Sequence, residues 1–491
     1  MAPELIIRDV RIVDGTGTPA VEGDVAVAGG RIVAVGSAGP AAPAAREVDG
    51  AGRVLAPGFV DVHTHDDGAL VNHPDLAFKV AQGCTSLVVG NCGFSAAPGV
   101  ADGRRDAVLG IDADLPDLEA FRTAVAAARP AANAVALVGH NTVRTVVMGT
   151  ERRAPTAAEL DDMRGHVRRA MEQGACGFST GLVYEPGRYA ATEEIVELAR
   201  EVAPFDGVYA THMRNEGDRL LDAVEETLRI AADAGGLHTQ ISHHKAAGRR
   251  NWGKVVESLA RVDRANAEGA DVTLDVYPYT AGSGPLAQYV DPERVDPEFA
   301  SIVRIASCPA FPEYEGRMVV DLAAEQGRSP AEVVRDIVTA TRGRATLCIH
   351  FTLDEADVET NLRHPLVMVG SDGIPDLDGV PHPRLFGTFP RVLGEYVRAR
   401  GVLGFEEAVR RMSSLACDRF GLTDRGRVVE GGWADLVLLD PATVVDTATY
   451  DDPQRLPIGI DTVWVNGVEV VAGGVPTGAR PGRLLRYRDA G

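Results

Sequence analysis

Two histidines separated by one residue, His63 and His65, follow the apolar run 58–62. A turn signal at 56–58 precedes this run, which is typical of a strand. Residues two apart on a strand point to the same face, so both imidazoles would be directed at one point in space. Imidazole is the commonest protein ligand of divalent transition metals. The pair therefore predicts part of a metal site whose other ligands come from later segments.

Four further apolar runs end in side chains that could bind a metal ion. These are Cys92, His212, the adjacent His243 and His244, and Asp372. Thiolate, imidazole and carboxylate are all donors to zinc. Adjacent residues on a strand point to opposite faces, so only one of His243 and His244 can be a ligand, and periodicity does not choose between them.

The runs before these residues belong to a series of eight, each of which is followed by a segment of helical pattern. The eight runs are 58–62, 85–89, 133–138, 175–178, 207–211, 237–242, 271–276 and 366–370. Thr156 and Thr192 are predicted to cap two of the intervening helices. Eight strands alternating with helices are typical of an α/β fold, the closed parallel (β/α)8 TIM-like barrel. In such barrels the chemistry lies at the carboxyl ends of the strands.

Both ends of the chain have a different pattern, made of short strands with hairpin-like turns. We therefore expect one small β-sandwich domain built from residues 1–56 and 416–491, flanking a catalytic barrel at 57–415. The gap between the seventh and eighth strands is too long for one βα connection. This gap predicts an inserted small lobe at 284–346.

The composition limits the partners that the protein can bind and the cellular compartment in which we expect it. The chain has 491 residues and a net charge of −21, which argues against nucleic acid and anionic membranes as partners. No apolar run approaches the roughly 20 residues of a membrane span. The six cysteines have no framework spacing, and the first residues lack the pattern of a signal peptide. We expect a cytoplasmic protein that acts on a small molecule, with its oligomeric state left open.

Seven ordered segments carry a specific resemblance. They are GFVDVHTH, NCG, STGLVYEPG, THMRNE, ISHHKAAGRRNWG, DVYPYTAG and SDG followed by HPRLFGTFPRVLG. From residue 4 to about 470 the chain resembles the D-aminoacylases (N-acyl-D-amino-acid deacylases) of the amidohydrolase superfamily. The resemblance implies a zinc-dependent enzyme that hydrolyses the amide bond of N-acyl-D-amino acids.

The resemblance also assigns metal ligands. It implies a tightly held zinc ion on one set of residues and a second, weaker position on another: Cys92, His212 and His243 for the first, and His63, His65 and Asp372 for the second. Cys92 is able to bridge the two positions. Of the adjacent pair, His243 is then the ligand, and His244 is a packing residue or a residue that supports the ligands from behind. Whether one or both positions are filled is left open.

The scarcity of lysine separates two branches of this superfamily. The three lysines are Lys79, Lys245 and Lys254. Dihydropyrimidinase- and dihydroorotase-like relatives bridge their two metals with a carboxylated lysine from the fourth strand. No lysine lies between 79 and 245, so that bridge cannot form, and Cys92 is the available substitute. This argues against a hydrolase of cyclic amides.

The remaining implied roles concern catalysis and the substrate. Asp372 is implied to act as general base and then as general acid to the leaving amine. Five residues are implied to bind the substrate's α-carboxylate: Tyr184, Lys245, Tyr277, Ser283 and Arg384. The arginine suits this task because its planar fork binds a carboxylate through two hydrogen bonds.

The segment after the seventh strand predicts which substrate side chain the enzyme prefers. Members acting on acidic D-amino acids are expected to carry a basic residue there, but residues 284–290 contain none. This favours an apolar side chain, although Arg304 or Arg317 could be delivered by the lobe. The alternatives are an N-acyl-D-glutamate or -aspartate deacylase, a dipeptidase-like amide hydrolase, and a barrel scaffold without chemistry.

Overall fold

The computed structural model describes residues 2–37, 39, 46–99, 108–340 and 346–488. Its strands are β1 Leu5–Ile12, β2 Val21–Ala28, β3 Arg31–Gly36, β4 Arg46–Asp49, β5 Val54–Pro57, β6 Phe59–Asp61, β7 Cys84–Val89, β8 Asn133–Gly139, β9 Gly177–Gly181, β10 Val208–His212, β11 His238–Ile241, β12 Val272–Val276, β13 Gly282–Pro285, β14 Val303–Ser307, β15 Leu347–His350, β16 Val367–Val369, β17 Leu436–Leu439, β18 Ile460–Val465, β19 Val468–Ala472 and β20 Val475–Pro476. All four predicted domain ranges include residues outside the described part of the chain.

The helices complete the description of the elements. They are α1 Ala69–Asn72, α2 Ala77–Val80, α3 Leu118–Ala128, α4 His140–Met148, α5 Ala157–Glu172, α6 Thr192–Ala199, α7 Leu220–Asp233, α8 Val255–Ala267, α9 Pro297–Ser301, α10 Val319–Gln326, α11 Pro330–Ala340, α12 Glu355–Arg363, α13 Arg384–Arg391, α14 Phe405–Met412 and α15 Ser414–Phe420. A π-helix at Val392–Ala399 continues α13. Among the described residues, no helix has the length and apolar character needed to cross a membrane.

Eight parallel strands form the central sheet. Their order is β6-β7-β8-β9-β10-β11-β12-β16, and every neighbouring pair is parallel. The two edge strands approach each other at an isolated parallel bridge between Thr64 and Gly373, so the barrel is nearly closed. Each of the eight strands overlaps one of the eight predicted runs, which confirms the predicted α/β barrel.

The fourth barrel strand begins and ends later than its apolar run predicts. The run 175–178 ends at Phe178, whereas β9 continues to Gly181. Ser179 and Thr180 are fully buried within the strand, and the Thr180 hydroxyl donates to Thr211 Oγ1 at 2.8 Å. Because polar side chains inside the barrel bond to one another, the strand outlasts its hydrophobic stretch.

The two predicted helix caps have different outcomes. Thr156 accepts a hydrogen bond from the Glu159 main-chain N–H, and the Glu159 carboxylate accepts one in return from the Thr156 N–H, which completes a capping box. The prediction for Thr192 is wrong, because Ala191 occupies the cap position. The Thr192 hydroxyl instead donates to Glu226 Oε1 at 2.8 Å.

A buried lysine links the two edge strands of the barrel. Lys79 Nζ donates to Asp61 Oδ2 at 2.6 Å and to Ser371 Oγ at 2.8 Å, and lies 3.3 Å from Asp66 Oδ2. Asp61 is the last residue of β6, and its Oδ1 also accepts a hydrogen bond from the Ser371 N–H at 2.8 Å. These side-chain contacts supplement the single backbone bridge where the barrel closes.

Strands from both ends of the chain join in one nine-stranded sheet. Its order is β20-β19-β18-β17-β5-β1-β2-β3, with β4 paired to β1. Strand β5 connects the two halves, since it is parallel to β1 and antiparallel to β17. Residues from both halves, such as Ile7 and Trp464, share one apolar cluster. The sandwich arrangement itself stays a prediction.

Between the seventh and eighth barrel strands the chain forms a separate small unit. It contains the antiparallel sheet β13-β15-β14 and the helices α9, α10 and α11. Its apolar residues, such as Val303, Leu322 and Ile337, form their own cluster. The unit lies where the inserted lobe is expected, and the bounds 284–346 stay a prediction.

Candidate metal centre

The carboxyl ends of five barrel strands bring the six predicted metal ligands together. His63 and His65 follow β6, Cys92 follows β7, His212 ends β10, His243 follows β11 and Asp372 follows β16. Each is at most 8% exposed. Residues far apart in the sequence meet here because parallel strands share one carboxyl-terminal rim.

Three of these residues adopt a left-handed backbone conformation that is uncommon outside glycine. The angle φ is 54° at Cys92, 35° at His243 and 50° at Asp372. Such a conformation costs about 1–3 kcal/mol per residue and persists only where the surrounding structure enforces it. At each of these three strands, the chain turns at the residue that carries the donor atom.

The Cys92 thiol lies among three imidazoles. Its Sγ atom is 3.3 Å from His63 Nε2, 3.5 Å from His243 Nε2 and 3.7 Å from His212 Nδ1. Sulfur and imidazole nitrogen are the donors that zinc prefers, so this group fits a zinc ion chemically.

A second group adjoins the first. Asp372 Oδ1 lies 3.2 Å from His65 Nε2 and 3.5 Å from His63 Nε2. Within the described residues, the donor atoms of His63, Cys92 and His243 lie within 4.8 Å of one another, as do those of His63, His65 and Asp372. The resemblance assigns His63 to the second position alone, whereas its Nε2 faces both Cys92 and Asp372.

The charges around the donors favour their anionic forms. Burial raises the pKa of the Cys92 thiol, but the positive charges of His63 and His243 and a hydrogen bond from His212 outweigh burial and hold that pKa well below its usual value. Burial likewise opposes ionisation of Asp372, but Arg384, His243 and His63 hold the pKa of its carboxyl well below the usual range. Metal binding requires these deprotonated forms.

Two carboxylates that were not predicted contact the ligand imidazoles from the other side. Glu216 Oε1 lies 2.9 Å from His243 Nδ1, and Glu216 Oε2 lies 3.3 Å from His212 Nε2. Asp275 Oδ1 lies 3.3 Å from His63 Nδ1. Asp275 was signalled only as an acidic residue inside an apolar run, and Glu216 lies beyond the end of β10, where periodicity does not orient a side chain.

Arg384 borders the centre and contacts three of its neighbours. Its Nη1 lies 2.9 Å from Asp372 Oδ2, and its Nη2 donates to the Ser283 carbonyl at 3.1 Å. Its guanidinium lies over the Tyr277 ring at 4.6 Å. Among the described residues, neither the buried Arg384 Nε nor the Tyr277 hydroxyl has a hydrogen-bond partner. Both groups are therefore available to a ligand.

The other predicted carboxylate-binding residues lie on the same rim. Lys245 Nζ lies 2.7 Å from Glu216 Oε1 and 5.7 Å from the Tyr277 ring centroid. The Tyr184 ring meets the His212 ring edge-on, with 4.6 Å between centroids. Ser283 contributes its main-chain carbonyl to Arg384. The structure thus brings all five predicted residues to the centre.

His244 points away from the centre. Its Nδ1 lies 2.6 Å from Asn361 Oδ1, and its Nε2 lies 2.6 Å from Ser258 Oγ. Burial lowers the pKa of His244 to about 4. The His244 ring is thus held by hydrogen bonds outside the donor cluster.

Two aromatic residues near the edges of the inserted unit also reach the rim and were not predicted. Burial raises the pKa of Tyr289 well above its usual value, against the opposing effects of Tyr184 and Arg384. The Tyr289 ring meets His350 edge-on at 4.6 Å. Burial, Lys245 and Arg384 together lower the pKa of His350 to about 3. The wall on this side is thus neutral and aromatic.

Comparison with known proteins places this centre in a family. The profile described as "Amidohydrolase family" matches residues 46–471. An N-acyl-D-glutamate deacylase of Alcaligenes xylosoxydans xylosoxydans is 43% identical, over 99% of this chain and 97% of the relative. A D-aminoacylase of the same organism is also 43% identical, over 98% of this chain and 97% of the relative. The chain belongs to the D-aminoacylase family of amidohydrolases.

A solved structure supports the same placement. It is an N-acyl-D-glutamate deacylase from Bordetella bronchiseptica, complexed with zinc and a phosphonate inhibitor that mimics the tetrahedral intermediate of the reaction. It matches with a TM-score of 0.91 and 42% identity, over 99% of this chain and 100% of that chain. The protein is therefore an enzyme, a hydrolase of the amidohydrolase superfamily.

Proposed function

We propose that this enzyme hydrolyses the amide bond of N-acyl-D-amino acids, with zinc as its cofactor, and releases a carboxylate and a free D-amino acid. One observation carries the proposal: a Cys–His donor cluster shares its rim with a buried arginine, Arg384, whose Nε has no partner among the described residues. The arginine suits the α-carboxylate that such a substrate presents beside its amide. The relatives named above support this substrate class.

The donor set would hold the metal in two adjacent positions. The tight position would use Cys92, His212 and His243, and the weaker position would use His63, His65 and Asp372. When bound, zinc would polarise the amide carbonyl and activate a water molecule. The contact of His63 Nε2 with both Cys92 and Asp372 supports adjacent positions.

Asp372 is the proposed proton carrier. It would accept a proton from the attacking water and pass it to the amide nitrogen as the carbon–nitrogen bond breaks. Its Oδ1 faces His63 and His65, while its Oδ2 faces Arg384. Replacing Asp372 by Asn should abolish turnover and leave zinc at the tight position, as measured by steady-state assay and elemental analysis. Near-normal turnover would contradict this role.

The α-carboxylate would bind between Arg384, Lys245 and Tyr277, with Tyr184 and Ser283 completing the pocket. The Arg384 Nε and the Tyr277 hydroxyl are both buried without a partner among the described residues. An anion would supply the missing acceptor to both groups. This placement orients the scissile amide towards the donor cluster.

A substrate with an apolar side chain best suits the remaining wall of the pocket, which Tyr289 and His350 form. Tyr289 and His350 are aromatic, and the low pKa of His350, about 3, keeps it neutral. Arg304 pairs with Asp451 at 2.9 Å, and Arg317 pairs with Glu325, so these two arginines of the lobe have acidic partners. Leucine, methionine, phenylalanine and valine are the D-residues proposed.

A substrate panel tests these proposals together. The zinc-loaded enzyme would be assayed with N-acetyl-D-leucine, N-acetyl-D-glutamate, N-acetyl-L-leucine and a dipeptide, with zinc quantified in the same preparation. The highest kcat/KM is expected for N-acetyl-D-leucine. A preference for N-acetyl-D-glutamate would overturn the side-chain assignment, which is a real alternative because that relative is equally similar. No hydrolysis of any D-substrate would overturn the function.

A further inference from the structure

Two of the three imidazoles beside Cys92, those of His212 and His243, each direct one ring nitrogen to the thiol and the other to Glu216. His212 presents Nδ1 to the thiol and Nε2 to Glu216. His243 presents Nε2 to the thiol and Nδ1 to Glu216. A neutral imidazole carries hydrogen on only one nitrogen, so the partner of one nitrogen decides which nitrogen is free to bind a metal.

We propose that Glu216 is a positioning residue that selects the metal-binding nitrogen of both His212 and His243. A carboxylate only accepts hydrogen bonds. Its two oxygens would accept Nε2–H from His212 and Nδ1–H from His243, which leaves His212 Nδ1 and His243 Nε2 with free lone pairs towards Cys92. The inference rests on the proposed zinc site but not on the identity of the substrate.

Among the described residues, Lys245 competes with Glu216 for His243 Nδ1. Its Nζ lies 2.8 Å from His243 Nδ1, so it could donate there and force the hydrogen onto Nε2. Two of its three hydrogens have oxygen acceptors, namely Glu216 Oε1 at 2.7 Å and the His243 carbonyl at 2.9 Å, so only the third competes with Glu216 for His243 Nδ1. Because Oε1 has two lone pairs, it can accept from both Lys245 and His243 Nδ1. Glu216 therefore also ties the tight metal position to a residue proposed to bind the substrate's α-carboxylate.

The isosteric variant Glu216→Gln separates selection from packing. An amide offers one oxygen and one NH₂ group, so it can accept from only one of the two imidazoles. The other imidazole must turn its N–H towards Cys92 and lose its donor lone pair. Loss of such a partner typically lowers metal affinity about 10- to 100-fold. The control is Glu226→Gln, because Glu226 pairs instead with Arg214 at 2.9 Å and accepts a hydrogen bond from Thr192 at 2.8 Å.

The test is zinc affinity, measured on apoenzyme by competition with a chromophoric chelator. Glu216→Gln should bind zinc about 10- to 100-fold more weakly, while Glu226→Gln should match the wild type. Saturating zinc should restore much of the turnover of Glu216→Gln, which a general loss of fold would prevent. Wild-type zinc affinity in Glu216→Gln would overturn the inference. The chelator assay needs no substrate, so the measured zinc affinity can be interpreted even if the proposed function is wrong.

Discussion

Arg384 forms an ion pair with Asp372, with 2.9 Å between Nη1 and Oδ2. The proposed proton carrier is thus held by the same guanidinium that is proposed to bind the substrate's carboxylate. Substrate recognition and placement of the catalytic carboxylate therefore share one side chain. A substrate without an α-carboxylate would leave part of this arrangement unused.

Replacing Arg384 by Gln should lower kcat/KM for N-acetyl-D-leucine by about 10- to 100-fold, because a hydrogen bond to a charged group contributes about 1.5–3 kcal/mol. The variant should also lose most of the preference for the free acid over the corresponding carboxamide. The control is Arg391→Gln on the same helix, since Arg391 also lies over a tyrosine ring, that of Tyr279 at 4.9 Å. An unchanged preference in Arg384→Gln would contradict the pocket assignment.

Of the three lysines, Lys79 at the barrel closure should contribute most to the free energy of unfolding. Lys79→Met leaves Asp61 and Asp66 buried without their cation, and removal of one partner from a buried ion pair costs about 3–5 kcal/mol. Lys254→Met should cost less than about 1 kcal/mol, because that side chain is only half-buried. Denaturant unfolding compares the two variants. Equal losses would show that the buried network contributes little.

His350 should make the protein less stable in mild acid. Its pKa is about 3 in the folded chain and near 6.5 when unfolded, so only the unfolded state binds this proton between those values. The contribution of neutral His350 to the free energy of unfolding is therefore complete above pH 6.5 and is lost as the pH falls below it. This free energy should fall by about 2 kcal/mol between pH 7 and pH 5. In His350→Gln, the free energy of unfolding should fall by that much less over the same interval. Parallel pH curves for variant and wild type would rule this out.

Tyr289 should influence side-chain preference, because its ring meets that of His350, whose pKa is lowered by burial and by Lys245 and Arg384 at the rim. Tyr289→Arg places a cation on this wall and should raise kcat/KM for N-acetyl-D-glutamate relative to N-acetyl-D-leucine about tenfold or more. Tyr314→Arg serves as control, since Tyr314 belongs to the same unit but stacks on Phe311 at 5.0 Å. No change in the substrate ratio of Tyr289→Arg would place the side-chain pocket elsewhere.

The barrel and its donor residues could be predicted because each strand is a short apolar run that ends in a polar residue. His63 and Cys92 needed only this rule and the shared rim of parallel strands. Glu216 and Tyr289 could not be found this way, because each follows the last strand residue by several positions and no period orients it. Strand β9 was predicted to begin and end too early for a related reason. Ser179 and Thr180 are polar yet buried, and hydrophobicity does not reveal the hydrogen bonds that polar side chains form between strands.

The left-handed residues Cys92, His243 and Asp372 set a limit on how stable this fold can be made. Glycine adopts that conformation freely, so glycine at any of the three would relieve strain of about 1–3 kcal/mol. It would also delete a donor atom. Selection for thermal stability alone would therefore tend to remove the centre, and the chain retains these residues at the expense of folding free energy.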